Sequence, residues 1–148
     1  MNAMKARVES IKSDEFFSCI TIQVKETFLK LLKTETPQWL QAGDEVECRI
    51  QEAALAICKG AKEGSVSIEN HIRGRLRHFR KGDILSEVSV ETPCGVMNSL
   101  ITTDAFERME LCKGCEVTLL LKAVDIKLHP VLSVPSYENC ILQTEKAE

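Results

Sequence analysis

The sequence predicts an all-β protein made of two small barrels in tandem, and three observations support this prediction. Apolar and polar residues alternate at a period of two in short stretches, such as residues 20–24 and 88–91. This alternation is typical of strands that bury one face. Turn residues at 81–83 and 93–95 separate the stretches at short intervals. The whole pattern also occurs twice along the chain, which indicates a duplicated unit.

Two pairs of segments carry the duplication. Residues 70–76 repeat the pattern of residues 2–8, and residues 111–117 repeat that of residues 40–46. In both copies the second segment contains a glycine turn that leads into a short apolar strand. The order and spacing of the segments agree between the copies, so we treat them as one unit present twice.

We therefore divide the chain into a first barrel at 1–58 and a second barrel at 65–129. The glycines and charges of residues 59–64 indicate a linker. The remaining residues, 130–148, form a C-terminal tail, in which residues 139–144 can add one more strand, to the first barrel or to a neighbour.

Each copy has one short helix candidate before its glycine turn. Residues 103–110 have a Thr or Asp cap and place Phe106 and Met109 on one face. In residues 36–40, Thr36 is the cap and Pro37 takes the first helical position. The strands and one helix of such a short unit predict an OB-type barrel.

The predicted fold class is therefore all-β, with two OB-like small β-barrels in tandem, each with one short helix. A barrel of this size buries little of its surface and is marginally stable alone. We expect the two barrels to pack on each other and the chain to form a homo-oligomer.

The composition excludes several classes of protein. The chain has 148 residues, with 19 basic and 22 acidic side chains and a net charge of −3. Nucleic-acid binders usually carry a strong basic bias, so this charge argues against that class. No apolar run is long enough to cross a membrane, and no apolar export signal follows the first charges. Seven cysteines, an odd number, fit reduced thiols in the cytoplasm. We therefore expect a cytoplasmic protein with no membrane partner.

No motif of a known catalytic or metal site stands out. The chain has no phosphate-binding loop, no Gly-x-Ser-x-Gly sequence and no His-Glu-x-x-His sequence, so we predict that it is not an enzyme. Cys112 and Cys115 form a single C-x-x-C pair, but zinc requires four ligands and no second pair exists. Cys94, Cys140 or His129 would have to complete such a site. A tight turn explains their spacing, and we expect no metal cation.

Three arginines, Arg73, Arg75 and Arg77, alternate with other residues and share one face of a strand. A solvated face is one interpretation, and an electropositive rim that attracts oxyanions is another. Single-stranded nucleic acid would also require aromatic stacking platforms, and only Phe79 lies in this stretch. We therefore expect no nucleic-acid partner.

Two short signatures frame the second copy. Ser67 and Asn70, with Gly74 four residues later, open it, and Lys122 and Ala123 precede its last strand. In this order and spacing, residues 67–128 resemble the molybdate-binding Mop domain, also called the TOBE domain. Residues 1–58 match it more weakly. Two units in tandem resemble the molbindins, small cytosolic stores of molybdate or tungstate, and the C-terminal effector half of the molybdate-responsive transcription regulator.

The resemblance implies an oligomer of OB-like barrels that binds molybdate or tungstate, a small oxyanion, at the interfaces between barrels. The family's site residues carry over to Ser67, Asn70, Thr102 and Lys122, with the backbone of Ala123 beside the lysine. Molybdate is a tetrahedral dianion without an acidic proton, so its site must be built from hydroxyl, amide and ammonium donors. The implied function is storage or homeostasis of the oxyanion.

Two positions depart from the family's pattern. Glu69 stands where the signature has an arginine, and a carboxylate close to a dianion repels it. Gln51 of the first copy stands where the second copy has Lys122. Three explanations are open: Glu69 points outward, a partner subunit supplies an arginine such as Arg73 or Arg75, or the site no longer binds molybdate.

Other interpretations accompany these predictions. Ser67 and Asn70 can make ordinary turn hydrogen bonds, Thr102 can begin a helix, and Lys122 can face solvent at a strand end. The alternative function is a ligand-free interaction or assembly module, or the sensor half of a molybdate-responsive regulator or transporter.

Overall fold

The structure is a computed structural model of the chain, and it describes residues 1–60 and 64–131. The strand predicted at 139–144 lies outside these residues. The described part contains ten strands, one α-helix and two short 3₁₀ turns. The strands are β1 (Asn2–Ser13), β2 (Ser18–Val24), β3 (Thr27–Lys33), β4 (Glu45–Ile50), β5 (Ala56–Cys58), β6 (Asn70–Lys81), β7 (Leu85–Thr92), β8 (Gly95–Thr102), β9 (Glu116–Leu121) and β10 (Ile126–Pro130). The helix α1 spans Thr103–Arg108, and the 3₁₀ turns span Glu52–Ala54 and Ala123–Asp125.

The strands form two five-stranded antiparallel sheets, in the orders β10-β4-β1-β2-β3 and β5-β9-β6-β7-β8. The copies exchange their last strands. β5 pairs with β9 of the second copy, with Ile57 opposite Leu119, and β10 pairs with β4 of the first copy, with Leu128 opposite Cys48. Each sheet thus takes four strands from one copy and its fifth strand from the other. The predicted all-β class is confirmed. The boundaries 1–58 and 65–129 describe the repeat in the sequence, and as barrel boundaries they stay a prediction.

Each sheet curls around its long first strand. The first half of β1 pairs with β4 and its second half with β2, and the register shifts between Val8 and Ser10. The first half of β6 likewise pairs with β9 and its second half with β7, with a shift between Leu76 and His78. Such bulges bend a strand and increase its twist.

Gly74 lies beside the second bulge and permits a close approach of β6 to β7. A Cβ at this position would lie 2.5 Å from the Glu91 carbonyl oxygen and 2.6 Å from Cγ1 of Val90. Both distances are shorter than van der Waals contact, so a larger residue would push the two strands apart.

The inward faces of the strands meet in one hydrophobic core. Residues of both copies belong to the same buried cluster, which places the two sheets in direct contact. The largest side chains with less than 2% exposure are Ile20, Ile22, Leu29, Leu31, Ile50, Leu55, Ile72, Leu76, Met97, Leu119, Leu121 and Ile126.

Two buried asparagines at equivalent positions join the sheets. The side chain of Asn70, at the start of β6, accepts a hydrogen bond from the Lys30 N–H in β3 (2.8 Å) and donates to the carbonyl oxygens of Lys30 (2.8 Å) and Leu121 (3.1 Å). Asn2, at the start of β1, accepts from the N–H of Asn98 in β8 (2.8 Å) and donates to its carbonyl oxygen (2.9 Å). We call these two contacts the asparagine clamps. Each one fixes the first strand of one sheet to the third strand of the other copy.

The helix predicted in the second copy is confirmed. Thr102 caps α1, and its Oγ1 accepts a hydrogen bond from the Ala105 N–H at 3.0 Å. Phe106 is buried. Neither α1 nor the 3₁₀ turns are long and apolar enough to cross a membrane.

The helix predicted in the first copy is wrong. Residues 36–40 form a turn in which the Leu40 N–H donates to the Pro37 carbonyl oxygen at 3.0 Å. The hydroxyl of Thr36 hydrogen-bonds to the Ser18 hydroxyl and caps no helix. Five residues before a glycine turn offer too few backbone hydrogen bonds to offset the cost of nucleating a helix.

Candidate functional site

A surface groove of about 350 Å³ brings together three of the predicted site residues. Its lining comes from three parts of the chain: the strands β2 and β3, the segment before β6, and the turn after β9. The lining residues are Cys19, Lys30 and Leu32, then Ser67 and Glu69, then Lys122, Ala123 and Val124. We call it the two-lysine groove.

The strand β9 positions Lys122 at the groove. The residues from Val117 to Leu121 are buried, and Lys122 is the first exposed residue after them. Lys122 has an extended backbone (φ −67°, ψ 143°), and its carbonyl oxygen accepts a hydrogen bond from the Asp125 N–H at 3.0 Å. Among the described residues, none forms an ion pair with Lys122. Lys122 therefore occupies an exposed strand end, as the alternative expected, and it also places a cation in the groove that no described residue neutralises by an ion pair.

Glu69 lies in the same groove beside a second lysine. The Nζ atom of Lys30 is 3.8 Å from Oε1 of Glu69, and the two side chains are 54% and 51% exposed. This separation exceeds hydrogen-bond length, and exposed ion pairs of this kind contribute about 0–1 kcal/mol to stability. Glu69 is therefore loosely paired with a cation that sequence reasoning missed.

Two predicted site residues do not line the groove. Asn70 is adjacent to Glu69 in sequence, but its side-chain amide makes the three hydrogen bonds of the clamp. Thr102 is exposed at the start of α1, and its Oγ1 accepts the hydrogen bond that caps the helix. The structure thus brings Ser67, Lys122 and Ala123 together and leaves Asn70 and Thr102 outside the lining.

The equivalent positions in the other half lack both lysines. Gln51 precedes the 3₁₀ turn Glu52–Ala54 with φ −68° and ψ 142°, nearly the angles of Lys122. The side chain of Asn2 hydrogen-bonds to the backbone of Asn98, just as the side chain of Asn70 hydrogen-bonds to the backbone of Lys30. The duplication therefore matches Gln51 to Lys122 and Asn98 to Lys30, and both counterparts are uncharged.

The arginines singled out in the sequence lie elsewhere on the surface. Arg73 and Arg75 line a separate groove of about 380 Å³ with Gly60 and Glu116. Arg75 forms an ion pair with Glu116 at 2.8 Å. Arg77 is exposed next to the bulge in β6. Within the described part of the chain, none of these arginines forms an ion pair with Glu69, whose partner is Lys30.

The C-x-x-C pair forms a turn. The Cys115 N–H donates to the Cys112 carbonyl oxygen at 3.2 Å, and Gly114 has a positive φ of 88°. A hydrogen bond to the Cys115 thiol raises the pKa of Cys112. Over residues 1–60 and 64–131, no group of three or more His, Cys, Asp or Glu side chains could hold a metal ion.

Two other cysteines are buried. Cys48 in β4 and Cys94 in the turn after β7 are both free thiols. Burial, and then the neighbouring Cys94, raise the pKa of Cys48 to about 12. Burial also raises the pKa of Cys94. Both thiols stay protonated at neutral pH and act as core residues.

The sequence matches known proteins over both copies. The TOBE domain family matches residues 66–128. Molybdenum-pterin-binding protein MopB of Rhodobacter capsulatus is 24% identical over 139 residues, which are 90% of this chain and 50% of that protein. The chain therefore spans about half the length of MopB. Molybdenum-pterin-binding protein 1 of Clostridium pasteurianum is 31% identical over 65 residues, which are 43% of this chain and 96% of that protein.

The fold also matches a solved structure. The cytoplasmic molybdate-binding protein ModG, in its PEG-grown form with molybdate bound, superposes with a TM-score of 0.80 at 20% identity. The match covers 87% of this chain and 95% of ModG. This likeness confirms the predicted tandem of OB-like units. The sequence matches establish that the chain belongs to the Mop family of TOBE-domain proteins.

Proposed function

We propose that the protein binds molybdate or tungstate in the two-lysine groove and serves intracellular storage or homeostasis of the oxyanion. The observation that carries this proposal is the meeting of Lys122, Ser67 and Lys30 in one groove. The names of the relatives, which refer to molybdenum-pterin or molybdate binding, support the choice of ligand.

The chemistry of the groove suits a tetrahedral dianion. Each lysine brings a positive charge and three N–H donors, and a serine hydroxyl brings one O–H donor. Hydrogen bonds from charged donors are about twice as strong as neutral ones. Two lysines outweigh the single carboxylate of Glu69, so the groove keeps a net positive charge.

The proposal includes a homo-oligomer, because the groove is open and two predicted site residues, Asn70 and Thr102, lie outside its lining. Thr102 does not line the groove of its own chain, so the proposal places Thr102 of a second copy against the groove. Leu32 (38% exposed) and Val124 (59% exposed) border the lysines and offer apolar surface for such a contact. Sedimentation with and without molybdate tests this part, and a monomer in both conditions would contradict it.

Calorimetric titration with molybdate, tungstate and sulfate tests the function. We expect heat with molybdate and tungstate and no saturable heat with the variant Lys122→Ala. Lys127→Ala, which also removes one exposed charge, serves as the matched control. Absence of heat with every oxyanion would refute oxyanion binding.

The rest of the proposal follows from a binding role. We place the protein in the cytoplasm, with the oxyanion as its small-molecule partner, without nucleic acid or membrane partners, and without catalysis. These features agree with the net charge of −3 and with relatives that are named as binding proteins.

A second candidate function is a ligand-free assembly module, or the sensor half of a regulator or transporter. Glu69 in the groove and Gln51 at the equivalent of Lys122 favour it. An oligomer that forms equally with and without oxyanion, together with silent calorimetry, would support this alternative.

A further inference from the structure

The two-lysine groove contains a cation that comes from the first copy. Lys30 lies on β3, whereas Ser67 and Lys122 belong to the second copy. The clamp of Asn70 holds the backbone of Lys30 on both sides, through the N–H and the carbonyl oxygen. Because Glu69 precedes Asn70 in the chain, this clamp also places the backbone of Glu69 close to that of Lys30.

The ion pair of Lys30 leaves most of its binding capacity unused. At 3.8 Å from Oε1 of Glu69, the Nζ atom is beyond hydrogen-bond length. Within residues 1–60 and 64–131 no other acidic side chain pairs with it, so its three N–H donors are available to an anion. Both side chains are about half exposed. A dianion with four acceptor oxygens offers Lys30 a stronger partner than one distant carboxylate.

Resting on the function proposed above, we propose that Lys30 is the second anion-binding cation of the groove, supplied by the first copy in place of the missing signature arginine. Glu69 competes with the bound anion for this lysine. The groove therefore binds its anion with lower affinity than two free lysines would give, and the competing carboxylate favours release.

The other half of the molecule supports the pairing of the two lysines. There the clamped residue is Asn98, and the residue before the 3₁₀ turn is Gln51. Both lysines are thus present in one half and both are absent from the other. This distribution is the one expected for two ligands of a single anion.

Affinity measurements on three single variants test the role of Lys30. Lys30→Met should weaken molybdate binding about tenfold, the loss expected for one charged hydrogen bond. Lys30→Arg should restore most of the affinity because it keeps the charge. Lys33→Met, on the same strand but outside the groove lining, is the control for net charge and should bind as the wild type does.

The variant Glu69→Gln tests the competition. Removing the carboxylate should raise the affinity about threefold or more, within the range of exposed ion-pair energies. Urea unfolding of every variant checks that the substitution leaves the protein folded. An unchanged affinity in Glu69→Gln would refute the competing role of this carboxylate.

Protection of Cys19 gives a readout independent of affinity, because this thiol lines the same groove. Iodoacetamide labelling, followed by mass spectrometry, should slow at Cys19 when molybdate is added and should not slow at Cys112. If wild-type protein binds molybdate but Lys30→Met binds as well as Lys33→Met, this inference is wrong and the proposed function stands. If wild-type protein binds no oxyanion, both fail.

Discussion

Replacing Asn70 by alanine tests whether the asparagine clamp stabilises the fold. The substitution removes three hydrogen bonds, two to the backbone of Lys30 and one to the carbonyl oxygen of Leu121. Asn70 is only 4% exposed, so water cannot easily replace its amide. Each hydrogen bond contributes about 1 kcal/mol net, and we expect the free energy of unfolding to fall by about 3 kcal/mol.

Two companion variants sharpen this test. Asn2→Ala removes the equivalent clamp with two hydrogen bonds and should cost about 2 kcal/mol. Asn70→Asp keeps the acceptor for the Lys30 N–H but loses both donors, and it buries a charge. It should be at least as destabilising as Asn70→Ala.

Urea unfolding followed by far-ultraviolet circular dichroism measures these changes, with free energies taken by linear extrapolation at a constant m value. Domains are typically stable by about 5–15 kcal/mol, so Asn70→Ala should remain folded in water. A loss below about 0.5 kcal/mol, the range of neutral surface substitutions, would refute the structural role of the clamp. A larger loss for Asn2→Ala than for Asn70→Ala would refute the count of hydrogen bonds.

Three further predictions follow from single positions. Lys122→Ala should abolish oxyanion binding in calorimetry while changing the stability by less than about 0.5 kcal/mol, because the side chain is exposed; an unchanged affinity would remove Lys122 from the site. The pKa of Cys48 rises from 9.0 to about 12 in the folded protein, so the folded state holds this proton more tightly than the unfolded state does. Its contribution to stability is complete below pH 9 and should be lost from there toward pH 12, by up to about 1.4 kcal/mol per pH unit; equal slopes for wild type and Cys48→Ala in urea unfolding would contradict it. Gly74→Ala should destabilise the protein by about 1–3 kcal/mol, since the new Cβ would lie 2.5 Å from the Glu91 carbonyl oxygen; a stability equal to the wild type would show that β6 and β7 separate without cost.

Local patterns predicted most of the strands and the duplication. The alternation at residues 20–24 and 88–91 marks β2 and β7, and the glycine turns mark the starts of β4 and β9. These features depend on neighbours a few residues apart, so a sequence records them directly. The helix at 36–40 failed because its cap and proline signals act only when enough residues follow to complete the turns.

Contacts between distant parts of the chain could not be predicted in this way. Lys30 meets Glu69 and Lys122 only because β3 lies against the start of β6, and no local signal marks that packing. The exchange of β5 and β10 between the copies could not be predicted from the sequence either. The alternation of apolar and polar residues in each strand is equally compatible with pairing inside its own copy. The only sign of the clamps in the sequence was that Asn2 and Asn70 occupy equivalent positions in the repeat. The residues that they bind, Asn98 and Lys30, are of different types and gave no such sign.

The exchanged strands make the halves of the molecule depend on each other. A half-chain produced separately would leave the edge of β4 or β9 without a partner, and an open edge recruits strands from other molecules. Joining the halves in one polypeptide removes that hazard and also lifts a constraint of symmetry. In a dimer of identical subunits every substitution is made twice, whereas a fused chain can keep lysines at one pseudo-equivalent position and place neutral amides at the other.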